Sequence, residues 1–188
     1  MKPGRGSPVS YSFGICLFFL VSAACSPSPE PSPPDTTIPR PPDQEAWGWN
    51  TVVTRNGRKR AEVAAGHFRK YDRTLTALLD SGVAVSFYDG PGLKQVSVLT
   101  ARQAEIHEES GDMLATGQVA VVATNGTRLE TDTLRWNRDT DMITGNGRMT
   151  LWRPDGEETG VGFEASSDLQ WWKMRQVSTR LAGADSLR

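Results

Sequence analysis

Apolar side chains recur at a fixed spacing along this chain and alternate with polar ones. The segment Leu99–Ile106 follows the pattern L-x-A-x-x-A-x-I, and Leu129–Trp136 repeats it thirty positions later as L-x-T-x-x-L-x-W. An earlier copy, Val63–Lys70, reads V-x-A-x-x-F-x-K and lies thirty-six positions before the first. Apolar residues two positions apart are typical of a β-strand with one buried face. The pattern therefore predicts a repeating unit built from strands.

The second half of each unit adds another strand and a tight turn. The equivalent positions are Gly117, Val119, Val121 and Asn125-Gly126, and then Gly147, Met149, Leu151 and Asp155-Gly156. Asn-Gly and Asp-Gly supply the positive φ angles that two-residue hairpin turns require. Each unit is thus predicted to read strand, turn, strand, turn.

From Trp47 onward the chain reads as one domain that is nearly all strand. The candidate strands are 47–54, 60–71, 76–88, 95–107, 113–124, 128–137, 142–153, 159–165 and 171–179. Turn-forming clusters rich in Gly, Asn, Asp and Ser separate them. Only for Arg73–Leu79 is a helical turn an alternative to a strand, and the repeat alignment favours a strand there.

A three-residue step interrupts the alternation inside each repeat. Ala101 to Ala104 and Thr131 to Leu134 break the period of two, which resumes at Ile106 and Trp136. One extra residue in a strand is what a β-bulge introduces, and a bulge bends the strand. A bend at the same point of every unit curls the sheet, so the predicted fold is all-β, an open antiparallel roll of repeated hairpins.

The inward positions of this roll form a candidate lipid-binding interior. It consists of Phe68, Val85, Phe87, Leu99, Ile106, Val119, Val121, Leu134, Trp136, Met149, Leu151 and Phe163. Such a face can pack shut as an ordinary core, or it can stay open enough to admit an apolar ligand such as acyl chains. The pattern by itself favours the packed core over the open trough.

The first 25 residues are typical of a targeting segment. Lys2 and Arg5 precede a largely apolar run that ends in Ser22–Cys25, and the run is shorter than the roughly 20 residues of a comfortable membrane span. We interpret it as a lipoprotein-type signal with Cys25 as the lipidated residue. An ordinary cleaved secretory signal and a retained short anchor are the alternatives, and all three place the domain outside the cytoplasm.

A proline-rich linker is predicted over residues 26–46. Residues 26–42 contain eight prolines in seventeen positions, and proline favours an extended backbone that cannot join a sheet. The β domain is then assigned to 47–180, and 181–188 to a flexible C-terminal tail.

Charge and cysteine content exclude some classes of partner and of covalent cross-link. The chain carries 21 basic and 22 acidic residues, and loss of the segment with Lys2 and Arg5 leaves it more acidic. The chain has no excess of positive charge of the kind that nucleic-acid binding needs, so nucleic acid is not expected as a partner. Cleavage before Cys25 would leave it as the only cysteine, which excludes an intramolecular disulfide.

The search for catalytic chemistry identifies no active site. His67 and His107 have no partners at metal-ligand spacing, and no serine elbow or phosphate-binding loop occurs. Acidic clusters such as Glu105-Glu108-Glu109 and Asp139-Asp141 fall on turns or outward positions, where solvated charge is normal. We therefore predict no enzyme activity, metal or cofactor. A carbohydrate-active enzyme is the weakest alternative, because it lacks a paired acid and base.

Several segments together resemble a known family. They are Ser97–Ile106, Gly117–Val121, Leu129–Trp136, Gly160–Ala165, Ser167–Leu169 and Val177-Ser178. In order and spacing they are similar to the periplasmic lipopolysaccharide-export family LptC and, more broadly, to the OstA/LptA-like β-jellyroll group. The resemblance covers roughly residues 47–179. The lipoprotein-type segment departs from those members that keep a transmembrane helix.

The resemblance implies a twisted β-jellyroll that receives lipopolysaccharide acyl chains. Such proteins accept the lipid from an inner-membrane ABC transporter, with subunits of LptB, LptF and LptG type, and pass it to an LptA-like periplasmic bridge. It also implies a location on the periplasmic face of the bacterial inner membrane, held by a lipid or signal anchor. A free bridge-type subunit and a structural or adhesion lipoprotein with a closed β core remain the alternatives.

Overall fold

Ten β-strands account for most of the chain in the computed structural model, which describes residues 40–91 and 93–181. The strands are β1 (Gln44–Arg55), β2 (Arg58–Tyr71), β3 (Thr76–Tyr88), β4 (Gln95–Ala101), β5 (Gln103–His107), β6 (Met113–Ala123), β7 (Arg128–Asn137), β8 (Met142–Arg153), β9 (Gly156–Ser166) and β10 (Trp172–Leu181). No helix occurs within these ranges. The all-β prediction is confirmed.

The strands form one antiparallel sheet that follows the order of the chain. The order is β1-β2-β3-β4-β6-β7-β8-β9-β10, and β5 pairs with β3 and β6 beside β4. Strands β4 and β5 are the two halves of the single strand predicted over 95–107, separated at Arg102. Every connection is a hairpin or a short turn, which is the predicted meander of repeated units.

A line of irregular positions crosses the sheet where the three-residue steps predicted a bend. The β6–β7 register shifts between Thr116 and Val119, and the β7–β8 register shifts between Thr131 and Arg135. Gly117 and Gln118 both have positive φ at this line, with angles of 76° and 52°. Equivalent shifts occur in the β2–β3, β8–β9 and β9–β10 pairs. The predicted curl thus arises from aligned bulges.

The bend line divides the sheet into two half-sheets that fold toward each other. The front half-sheet contains 58–65, 83–88, β4, 119–123, 128–131, 149–153 and 156–161, and the back half-sheet contains 67–71, 76–80, β5, 113–116, 133–137, 142–145 and 163–166. Phe87 of the front meets Trp136 of the back edge to face, with ring centroids 5.3 Å apart. Ser97 of the front donates a hydrogen bond to the Ser167 carbonyl beyond the back. The two inner faces enclose one hydrophobic core.

Element boundaries differ slightly from the sequence prediction. Strand β1 begins at Gln44, inside the segment predicted as linker, and pairs with β2 from there on. The competing segment Arg73–Leu79 divides into a turn and the first residues of β3, so it is not helical. The signal segment, Cys25, most of the linker and the tail from residue 182 lie outside the described residues.

Candidate lipid-binding cleft

The predicted interior residues do come together between the half-sheets. Eleven of them lie in the core with exposures of 8% or less, namely Phe68, Val85, Phe87, Leu99, Val119, Val121, Leu134, Trp136, Met149, Leu151 and Phe163. Ile106 is half-buried and packs against the same core. Most of these side chains fill the space between the half-sheets themselves, which is the packed arrangement that the pattern favoured. An apolar ligand could therefore reach the core only where a cleft opens between these side chains.

One such place is an apolar cleft of about 200 Å³ beside the edge strand β1, which we call the β1 cleft. It is lined by Trp49, Thr51, Val53, Val63, Phe68, Ala77, Ile106, Glu108, Gly111, Met113, Trp136 and Arg138. Three of the predicted residues, Phe68, Ile106 and Trp136, are among them. The volume is below the roughly 300–1,000 Å³ of pockets that enclose a whole drug-sized ligand. The cleft can hold part of an acyl chain rather than an entire amphiphile.

The outer wall of the cleft comes from β1. Trp49, Thr51 and Val53 alternate along this strand and face inward, opposite Ala65, Val63 and Ala61 of β2. The Trp49 ring stacks on Phe68, with centroids 4.5 Å apart and planes inclined by 15°. The sequence pattern predicts a strand here, but these three inward residues are not among the predicted interior residues. The alternation W-x-T-x-V was the signal that could have identified them.

The rim of the cleft is polar and mostly paired. Lys70 lies 3.2 Å from Glu108, and its hydrogen bonds to the Glu108 and Asp72 carboxylates raise the pKa of its ammonium group above 10.5. Trp136 is buried in the cleft wall, and its Nε1 donates to Asp141 Oδ1 over 3.1 Å. The same carboxylate pairs with Arg60 of the front half-sheet. A buried polar group without such partners would be costly, so the apolar wall is built without an unpaired indole.

Among the residues described, the histidines and acidic side chains do not form a metal site. His67 lies between the carboxylates of Glu45 and Asp80, and His107 is half-exposed beside Glu105. Within residues 40–91 and 93–181, no group of three His, Cys, Asp or Glu side chains could hold a metal ion. Trp171 is 48% exposed, whereas its neighbour Trp172 is half-buried and packs against the core.

Both edges of the sheet lack a partner strand within the described part of the chain. Strand β1 pairs only with β2, and β10 pairs only with β9. Each edge also exposes large apolar side chains: Trp47 and Val52 on β1, and Val177 on β10 with Trp171 just before it. Unpaired backbone groups at an edge are able to pair with a strand from another chain. In the part of the chain described, no helix has the length and apolar character to span a membrane.

Comparison with known proteins identifies a family and a fold. The family model described as "Lipopolysaccharide-assembly, LptC-related" matches residues 13–180. The fold is similar to that of LptH from Pseudomonas aeruginosa, described as the LptA homologous periplasmic component of the conserved lipopolysaccharide transport device. The two chains are 11% identical, with a TM-score of 0.51 over 64% of this chain and 93% of LptH. No curated protein sequence matches significantly.

Proposed function

Because the chain belongs to the LptC-related family of lipopolysaccharide-assembly proteins, we propose that it receives lipopolysaccharide from an inner-membrane ABC transporter and hands it to an LptA-like bridge. Family membership already gives the coarser statement: the chain takes part in lipopolysaccharide transport as a non-enzymatic, periplasmic component. The transporter subunits of LptB, LptF and LptG type belong to the proposal.

The observation that carries this proposal is the β1 cleft. It is an apolar opening into a jellyroll whose outer positions are polar, and it lies at an unpaired edge. Each methylene group that leaves water for an apolar surface contributes about 0.8 kcal/mol. A few methylenes held at a time would retain the lipid without trapping it, which is what a passive relay needs. The energy for net movement then comes from ATP hydrolysis in the transporter.

In this proposal, the two sheet edges set the direction of the relay. We assign the β1 edge to the transporter and the β10 edge to the bridge, each joined by strand addition. Supporting this assignment, both edges expose apolar side chains, and the β1 cleft opens at the edge where the lipid would arrive. The N-terminal segment would tether the domain to the inner membrane through lipidated Cys25 or a retained anchor.

Photocrosslinking in cells tests the proposal at adjacent positions on opposite faces of one strand. Thr51 lines the cleft and Val52 points outward with 52% exposure. A photoreactive residue at Thr51 or Ile106 should label lipopolysaccharide, whereas one at Val52 should not. Equal labelling at Thr51 and Val52, or no lipid at any position, would contradict the proposal.

A second arm of that experiment addresses the tether. Cys25→Ala should release the domain from the membrane fraction if Cys25 carries the lipid. Unchanged membrane association would contradict lipidation and favour the retained anchor.

The alternative function, a structural or adhesion lipoprotein with a closed core, also has an observation in its favour. Eleven of the twelve predicted interior residues are almost fully buried against each other. For such a protein the cleft would be only a packing defect. Absence of lipid at Thr51 and Ile106 in cells, together with normal folding, would support this alternative.

A further inference from the structure

A second pocket, of about 430 Å³, lies at the tip of the β1–β2 hairpin and is lined by Arg55, Asn56, Arg58, Arg60 and Gly90. We call it the arginine pocket. The hairpin reads R-N-G-R-K-R, so it carries four cationic side chains in six residues, in a chain whose formal net charge is −1. Asn56 and Gly57 have φ angles of 53° and 72° and form the tight turn that brings the arginines together. A pocket lined by one sign of charge attracts ligands of the opposite sign.

The structure leaves donor capacity unused in this pocket. Arg60 is 12% exposed and pairs with Asp141, yet its Nε is buried without a hydrogen-bond partner. Among the residues described, Arg55 donates only to the Asp139 carbonyl. Arg58 is exposed, and neither it nor Arg55 lies within ion-pair distance of a carboxylate among the residues described. Lys59 is turned away, with its Nζ 3.7 Å from the centre of the Tyr88 ring. Two guanidinium groups are therefore available to an anion.

The arginine pocket and the β1 cleft adjoin the same turn, that between β7 and β8. Arg138 of this turn lines the β1 cleft, while the Asp139 carbonyl and the Asp141 carboxylate hold Arg55 and Arg60. Val53, two residues before Arg55 on β1, also lines the cleft. An apolar site and an anion site thus adjoin one rim, which suits an amphiphile with a charged head.

We propose that the arginine pocket binds the phosphate monoester of a lipid whose acyl chain occupies the β1 cleft. Guanidinium groups bind phosphate oxygens through paired, charge-assisted hydrogen bonds, which makes phosphate a better match than a lone carboxylate for several arginines. The inference rests on the proposed function, because it assigns the headgroup of a lipid that the domain carries. It fixes the orientation of that lipid, head toward the hairpin tip and chain toward Trp136.

Native mass spectrometry of the full chain, released from a neutral detergent, tests the inference. The probes are dimyristoyl phosphatidic acid and dimyristoylglycerol, which share their chains and differ in the phosphate. The unmodified protein should bind phosphatidic acid at least about tenfold more tightly. The double variant Arg55→Gln/Arg58→Gln should lose this preference and keep its affinity for dimyristoylglycerol.

The control variant is Arg73→Gln, which removes an exposed arginine from the β2–β3 turn and should keep the full preference. Equal binding of the two lipids by the unmodified protein, or an unchanged preference in the double variant, would overturn the headgroup site but not lipid carriage. Binding of neither lipid would overturn lipid carriage and the inference with it. Displacement of phosphatidic acid by an equal concentration of inorganic phosphate would indicate a free-anion pocket and overturn the lipid assignment.

Discussion

His67 connects three neighbouring strands through its imidazole ring. Its Nε2 lies 2.8 Å from Glu45 of β1, and its Nδ1 lies 3.1 Å from Asp80 of β3. Trp47 of β1 stacks on the ring, with centroids 5.2 Å apart. Ionised carboxylates only accept hydrogen bonds, so the imidazole is the donor in each of these hydrogen bonds. This residue therefore helps to hold the edge strand that forms the wall of the β1 cleft.

Asp80 makes this cluster sensitive to acid. Burial raises the pKa of its carboxyl, but hydrogen bonds from Ser81, Arg69 and His67 outweigh burial and hold the pKa below the ordinary 3.8. A carboxylate whose pKa is lowered by folding stabilises the folded state above its unfolded pKa. That contribution is lost as pH falls through 3.8 toward the folded pKa.

We predict that Asp80→Asn removes part of the pH dependence of stability. The free energy of unfolding of the unmodified protein should fall as pH is lowered from about 6 to 3, and the variant should be less stable at pH 6 and less sensitive to acid. Denaturant unfolding at several pH values measures both effects. Asp132→Asn, at an exposed position, should retain the normal dependence. Identical slopes for the unmodified protein and Asp80→Asn would contradict the assignment.

At the scale of strands, the repeat pattern predicted most of the fold. The steps at Ala101–Ala104 and Thr131–Leu134 lie at observed irregularities, the β4–β5 break at Arg102 and the β7–β8 register shift. These features follow from the local alternation of apolar and polar residues, which is visible in the sequence of each strand. The pattern favoured a packed core, but the place where a cleft stays open could not be predicted, because it depends on contacts such as Arg60–Asp141, whose partners are 81 residues apart. No periodicity along the chain encodes such a pair.

The bend line also explains why residue 66 is a glycine, a position that the repeat pattern did not identify. A Cβ atom added to Gly66 would lie 2.4 Å from the Ser81 carbonyl oxygen and 2.8 Å from its Cβ. The close approach occurs at the register shift between β2 and β3, and the obstructing oxygen belongs to the backbone. Strands β2 and β3 must therefore move apart to accept a larger residue.

We predict that Gly66→Ala destabilises the domain by about 1–3 kcal/mol, the usual cost of forcing atoms into a filled space. Gly147→Ala is the matched control, because a Cβ there meets nothing within 4 Å and the residue also lies in a strand. It should be neutral or stabilise by up to about 1 kcal/mol. Denaturant unfolding measures both changes. Equal effects at the two positions would indicate that the strands do not approach closely at Gly66.

For the whole molecule, the decisive feature is how the two half-sheets are held around the cleft. Asp141 lies in the β7–β8 turn and accepts from both Trp136 of the back half-sheet and Arg60 of the front. The side chains of Arg60 and Asp141 are largely removed from solvent, with 12% and 16% of their surface exposed, respectively. The pair fixes the separation of the half-sheets next to the β1 cleft. It also orients Arg60 in the arginine pocket, so one carboxylate positions both proposed sites.

Asp141→Asn should weaken this link while preserving the local backbone. Asp141 has a φ of 60°, which asparagine adopts readily, and the amide oxygen can still accept from Trp136. The substitution removes the charge opposite Arg60, so we expect a loss of about 1–3 kcal/mol in the free energy of unfolding. Hydrogen exchange should also become faster in β1 and around Trp136. Asp139→Asn is the matched control, because its side chain is 71% exposed and pairs with Arg138 of the same turn over 3.3 Å, while the backbone carbonyl that contacts Arg55 is unchanged. If both variants unfold at the same denaturant concentration as the unmodified protein, the Arg60–Asp141 pair does not hold the half-sheets together.

Adding Arg60→Met to Asp141→Asn should recover part of the lost stability, because it removes the cation left without its partner.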